Sequence, residues 1–147
     1  METIVVGIDG SEGGNAALEF AAHEAAAHQA RLRVITAWQI PNAVYAGGFM
    51  PPANLNDAAQ QDAEARVKEA ADRAAELEPS VYCEHEAIQG HPAEVLTNES
   101  RDASLVVVGS RGRGEFASLL LGSICHQVAQ HARCAVVIVP RGAVEKA

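Results

Sequence analysis

Five short runs with strand character recur along the chain, at residues 4–8, 31–38, 81–88, 105–108 and 135–139, and the stretches between them are long enough to hold helices. Ile4-Val5-Val6-Gly7-Ile8 and Leu105-Val106-Val107-Val108 are almost pure β-branched or aliphatic sequence, the pattern of strands buried on both faces. Residues 81–88 alternate more between apolar and polar, as a sheet edge does. The intervening segments carry helical signals. Residues 15–29 are Ala-rich with Leu18 and Phe20 interspersed, and Ser11 stands before them as a cap. Residues 57–77 form the longest such segment, closed by Pro79. Pro92 suits the first turn of a helix over about 92–101 that buries Val95 and Leu96, and residues 123–132 form a fourth. Strand–helix alternation predicts an α/β fold, a doubly wound parallel sheet with helices on both faces, because right-handed crossovers place them there. Residues 1–147 are read as one domain, long enough to bury roughly two-thirds of the unfolded surface. Residues 41–56, with Gly47-Gly48 and Pro51-Pro52, are expected to form a flexible lid or a disordered excursion.

A composition of 48% hydrophobic and 20% charged residues excludes disorder as the default state. The net charge of −8 disfavours a general nucleic-acid or anionic-membrane binder, so neither partner is expected. No apolar run approaches membrane-spanning length, and Met1-Glu2-Thr3 leads into a strand rather than a secretory signal. Cys83, Cys125 and Cys134 are odd in number and lack a CxxC spacing, which fits free thiols in the cytoplasm.

Directly after the fourth strand comes Gly109-Ser110-Arg111-Gly112-Arg113-Gly114, a loop whose glycines let the backbone approach a ligand closely, and Gly122-Ser123 then opens an apolar-periodic segment. Helix starts present unpaired N–H groups and favour anions, so the motif points to phosphate. Its spacing, Gly109-x2-Gly112-x9-Gly122-Ser123, is neither a Walker loop nor Gly-x-Gly-x-x-Gly. It resembles the nucleotide-binding signature of the universal stress protein family, and the likeness extends to residues 4–11 and 136–140. That resemblance implies strand order 3-2-1-4-5 in an adenine nucleotide alpha hydrolase-like fold. The first and fourth strands then lie side by side where the winding reverses, the position at which such sheets bind ligands.

The same resemblance implies ATP, with or without Mg2+, as the ligand of a nucleotide-responsive regulatory module in stress response. A cyclic-AMP-binding relative is the alternative ligand reading. Backbone groups of Gly112, Gly122, Ser123 and Ile124 would cradle phosphates, and Arg111 and Arg113 would offset their charge. Ribose contacts fall at Asp9 and Gly109, and Ile8 at the end of the first strand is a further nucleotide-binding position. A backbone contact to adenine falls at about Trp38, larger than the aliphatic residue of many relatives.

No HExxH-type pair marks a metal site among the six histidines, and no nucleophile motif is present, so efficient catalysis is not indicated. A slow ATPase using Asp9 and a metal is the competing class. A homodimer through residues 135–139 is expected, both from the resemblance and because an edge of Ala-Val-Val-Ile-Val leaves unpaired main-chain groups beside apolar side chains.

Overall fold

The computed structural model describes residues 1–40, 53–110 and 122–140. Five strands, β1 (Thr3–Gly7), β2 (Arg31–Trp38), β3 (Cys83–Gln89), β4 (Leu105–Gly109) and β5 (Ala135–Val139), form one parallel sheet in the order β3-β2-β1-β4-β5. Helices α1 (Glu12–His28), α2 (Ala53–Leu77), α3 (Pro92–Glu99) and α4 (Ser123–His131) connect them, with a 3-10 turn at Ser100–Asp102. Of the expected 41–56 connection, residues 41–52 lie outside the described residues.

Strand alternation divides the core into two layers. Ile4, Val6, Leu32, Val34 and Val107 pack against Ala17, Leu18, Ala21, Ala22 and Ala25 of α1 and Val67 and Ala71 of α2. The opposite face places Val5, Ile35, Val106 and Val108 against Val95 and Leu96 of α3 and Cys125 and Val128 of α4. The small alanines bring α1 close to the sheet, which is why an Ala-rich helix of low amphipathicity still buries a whole face.

α1 starts at Glu12, directly after the expected Ser11 cap and ahead of the Ala-rich run from Asn15, and the Ser11 hydroxyl accepts the Gly14 N–H at 3.2 Å to close the end. The cap offsets the poor helical propensity of Gly13 and Gly14. α2 starts at Ala53, one turn before Asp57. β3 runs Cys83–Gln89 instead of 81–88, and its sparse burial is that of an edge strand.

α3 is tied down at its C-terminal end. Arg33 of β2 donates from Nε to Glu99 at 2.7 Å and from Nη2 to Glu86 at 3.1 Å, and the Glu99 hydrogen bond holds the guanidinium pKa above its ordinary value, against the effect of burial. The buried Ser100 hydroxyl donates to the Thr97 carbonyl and accepts the Arg133 N–H at 2.8 Å, joining the end of α3 to the entry of β5. With its far end fixed, α3 presents Pro92 and Leu96 to the C-terminal edge of the sheet.

Candidate functional site

β1 and β4 are neighbours, paired Val6 to Val107, while their following helices depart to opposite faces of the sheet. A crevice necessarily opens at the ends of the two strands, the switch point of a doubly wound sheet. It encloses about 320 Å3, within the range of small-molecule sites. Gly7, Ile8, Val108 and Gly109 contribute from the ends of β1 and β4, Asp9, Ser11 and Gly14 from the turn into α1, Ile35 and Ala37 from β2, Pro92 and Leu96 from α3, and Ser110 with Gly122 to Cys125 from the start of α4.

The turn after β1 positions a carboxylate. Gly10 has φ +85°, a left-handed conformation that turns the chain sharply. Ser11 then lies over Asp9: its N–H donates to Asp9 Oδ1 at 2.9 Å and its hydroxyl to the same oxygen at 2.5 Å. Among the described residues Asp9 Oδ2 has no hydrogen-bond partner.

Across the crevice, α4 begins at Gly122, whose φ of −61° and ψ of 148° are those of an ordinary cap and whose carbonyl accepts the His126 N–H. The Gly122 N–H donates to the Ser110 carbonyl at 2.9 Å. That N–H is therefore already paired, and the free donors begin one residue later. Ser123, Ile124 and Cys125 are the first three helical residues, and their N–H groups have no acceptor among the described residues. Three such donors at a helix start, with the Ser123 hydroxyl beside them, are chemically suited to an anion. Arg111, Gly112 and Arg113 lie outside the described residues.

Gly109 lines the crevice but has a packing role as well. A Cβ there would stand 2.6 Å from the Gly13 carbonyl oxygen and 2.7 Å from its carbon, so glycine is what lets the start of α1 close on the end of β4.

Trp38 is not among the residues lining the crevice, and its carbonyl accepts the Gly90 N–H on the β3 side. Ala37 takes its place. The main-chain groups of Arg31 and Ile35 bond toward β1, Arg31 N–H to Glu2 O and Ile8 N–H to Ile35 O, so Ala37, two residues on, faces the same way. The ladder stops there: the buried Thr36 hydroxyl donates to the Ile8 carbonyl at 2.9 Å, and among the described residues no main-chain partner meets the Ala37 N–H or C=O. A donor and an acceptor on one residue thus open into the crevice.

Cys125 packs at 3% exposure in the crevice wall, and burial pushes its thiol pKa above the ordinary value. Cys83 and Cys134 are also free thiols with pKa values raised by burial. Among the described residues no group of three His, Cys, Asp or Glu is placed to hold a metal, and no helix is long and apolar enough to cross a membrane. Pro92, Leu96 and Cys125 escape a motif-based reading because the tertiary fold alone brings them to the crevice. Asp9-x-Ser11 is a local signal for the turn clamp, a short polar side chain bonding the backbone two residues on.

A family model, that of the universal stress protein family, matches residues 1–140. The chain belongs to the universal stress protein family. Rv2623, a universal stress protein of Mycobacterium tuberculosis, is 35% identical over 135 residues, 92% of this chain and 44% of the relative. A universal stress protein of Mycolicibacterium smegmatis is 32% identical over 136 residues, 45% of its length. The chain therefore spans less than half the length of these curated relatives. Among solved structures, a universal stress protein in complex with cAMP is 31% identical, covers 95% of this chain and 97% of its own, and superposes with a TM-score of 0.68. The Archaeoglobus fulgidus universal stress protein in complex with dAMP, at 20% identity and TM-score 0.60 over 95% of this chain and 98% of its own, shares the fold.

Proposed function

We propose that this universal stress protein domain binds an adenine nucleotide, ATP foremost, in the β1–β4 crevice, and acts in the cytoplasm as a nucleotide-responsive regulatory module of a stress response. The observation that carries this reading is the set of three N–H groups at the start of α4, without acceptors among the described residues, facing the Asp9 turn across a cavity of about 320 Å3. The triphosphate would sit at Ser123, Ile124 and Cys125, with Arg111, Gly112 and Arg113 supplying further donors and charge from the segment between β4 and α4. Asp9 would hold the ribose, beside Gly109. The base would lie against Ile8, Ile35 and Leu96, its amino group donating to the Ala37 carbonyl and its neighbouring ring nitrogen accepting the Ala37 N–H. Mg2+ would arrive on the triphosphate, held mainly by the phosphate oxygens.

Binding rather than turnover is the role we assign. The second ligand reading is cyclic AMP, favoured by the relative that was solved with it at 31% identity. Equilibrium titration with ATP and with cyclic AMP, each with Mg2+, separates the two: tighter ATP binding is expected, and tighter cyclic AMP binding would keep the crevice and exchange the ligand. No binding of either at millimolar concentration would refute the reading. A phosphate-release assay addresses the slow ATPase, whose steady turnover would have to exceed that of Gly122→Glu.

We further propose a homodimer through β5. β4 covers one edge of β5, and among the described residues the other edge has no strand beside it, with Val136, Val137 and Ile138 half-buried. An apolar edge with free main-chain groups is a template for an identical edge.

A further inference from the structure

We propose that Ser11 sets the sugar selectivity of the crevice: by filling one oxygen of Asp9 it leaves a single carboxylate oxygen for the ribose, so 2′-deoxy- and 3′-deoxyadenine nucleotides bind nearly as well as the ribonucleotide. The inference rests on the adenine-nucleotide reading above and adds to it a residue with an assigned role.

A carboxylate presents two oxygens, each able to accept about two hydrogen bonds. Asp9 Oδ1 already accepts two, from the N–H and the hydroxyl of Ser11. The hydroxyl is not free to turn elsewhere, because its oxygen also accepts the Gly14 N–H as the cap of α1. Swinging Ser11 away would uncap the helix. The side of Oδ1 is closed sterically too: the position of a Cβ on Gly14 lies only 3.2 Å from Oδ1, so the α1 backbone packs against it. The sugar is left with Oδ2, which has no partner among the described residues and belongs to a side chain lining the cavity.

The number of free oxygens decides how the site reads a vicinal diol. When both carboxylate oxygens face the sugar, each hydroxyl has its own acceptor and removing either one forfeits a charge-assisted hydrogen bond, about tenfold or more in affinity. With one oxygen open, the two vicinal hydroxyls converge on the same acceptor, and each makes a weaker bond than it would to an oxygen of its own. If either hydroxyl is removed, the other takes that oxygen alone after a small shift of the sugar.

Four ligands that share base and triphosphate test this: ATP, 2′-deoxyATP, 3′-deoxyATP and 2′,3′-dideoxyATP, in competition with a fluorescent ATP analogue. Both monodeoxy nucleotides are expected within about threefold of ATP, and the dideoxy nucleotide about tenfold weaker or more. A tenfold loss on removing either hydroxyl alone would overturn the inference. So would equal binding of all four, since Asp9 would then not touch the sugar. If ATP itself fails to bind, the adenine-nucleotide reading falls first and carries this one with it. Ser11→Ala reopens a lone pair on Oδ1 and is expected to raise the ATP to 2′-deoxyATP preference about threefold or more. A merely structural role would weaken all four ligands in parallel and leave that ratio unchanged, which also refutes the inference. Asp9→Asn is the second variant. It keeps a short polar side chain in the turn, and it is expected to bring ATP close to the dideoxy level.

Discussion

Gly109→Ala probes the contact that holds the two halves of the crevice together. The added methyl would lie 2.6 Å from the Gly13 carbonyl oxygen and 2.7 Å from its carbon, with the Gly13 Cα at 3.2 Å. Both sides of this contact are backbone, one in a central strand and one in the first turn of α1, so no side-chain rotation relieves it. Overpacking of this kind costs about 1–3 kcal/mol, and the rigidity of both partners places it at about 2–3. For a chain of this length each kcal/mol moves the melting temperature by about 2–4 °C, so the ligand-free variant should melt about 4–12 °C below wild type. Gly7→Ala is the internal comparison. Its Cβ would approach Leu96 Cδ1 to 2.7 Å, but that atom is the tip of a flexible side chain that can turn away, at a cost nearer about 1 kcal/mol. Thermal melts by circular dichroism on both variants read the difference. The reasoning fails if Gly109→Ala melts with wild type, or if Gly7→Ala is the more damaging change.

Three other predictions follow from particular groups. Burial favours the neutral thiol of Cys125, so the folded chain holds that proton more tightly than the unfolded chain does. Its stabilisation is complete below the ordinary thiol pKa and is lost as pH rises through the raised one; urea midpoints should fall less steeply above about pH 8.5 in Cys125→Ala than in wild type, and parallel pH profiles would contradict this. Thr36→Val removes the hydroxyl that occupies the Ile8 carbonyl and frees that carbonyl for the Ala37 N–H. Stability should drop by about 1 kcal/mol and ATP affinity should fall, whereas unchanged affinity would remove Ala37 from the base contact. Light scattering at micromolar concentration should give twice the chain mass, and a monomer mass would refute pairing through β5.

Much of the fold is legible in the runs of Val and Ile, because a strand covered on both faces needs them and nothing else in the chain imitates them. Strand order came with the family resemblance, and the observed sheet has that order. The Ser11 cap marks the start of α1, but the glycines that follow it, Gly13 and Gly14, look like loop, and the close approach of Gly14 to Asp9, where a Cβ would stand 3.2 Å from Oδ1, is visible only in the folded chain. That Ala37 rather than Trp38 lines the crevice is equally hidden from the sequence. Main-chain direction alternates along a strand, so whether Ala37 or Trp38 opens into the crevice depends on the β1–β2 register, Gly7 against Ile35, which no propensity encodes. Nor does the sequence show that the Gly122 N–H is paired, since its partner, the Ser110 carbonyl, comes from beyond segment 111–121. Asp9, Gly109, Ser123 and Ile124, by contrast, line one crevice although more than a hundred residues separate Asp9 from α4.

The most direct test of nucleotide binding at the start of α4 is the ATP-induced shift in melting temperature of Gly122→Glu beside that of wild type. Gly122 has an ordinary cap conformation, so a side chain is tolerated there, and an acidic one suits the helix start while repelling phosphate from the Ser123, Ile124 and Cys125 N–H groups. The ligand-free variant should melt close to wild type and should gain nothing from ATP with Mg2+, while wild type is stabilised. Equal stabilisation of both proteins by ATP would contradict the account, because the phosphates would then lie elsewhere.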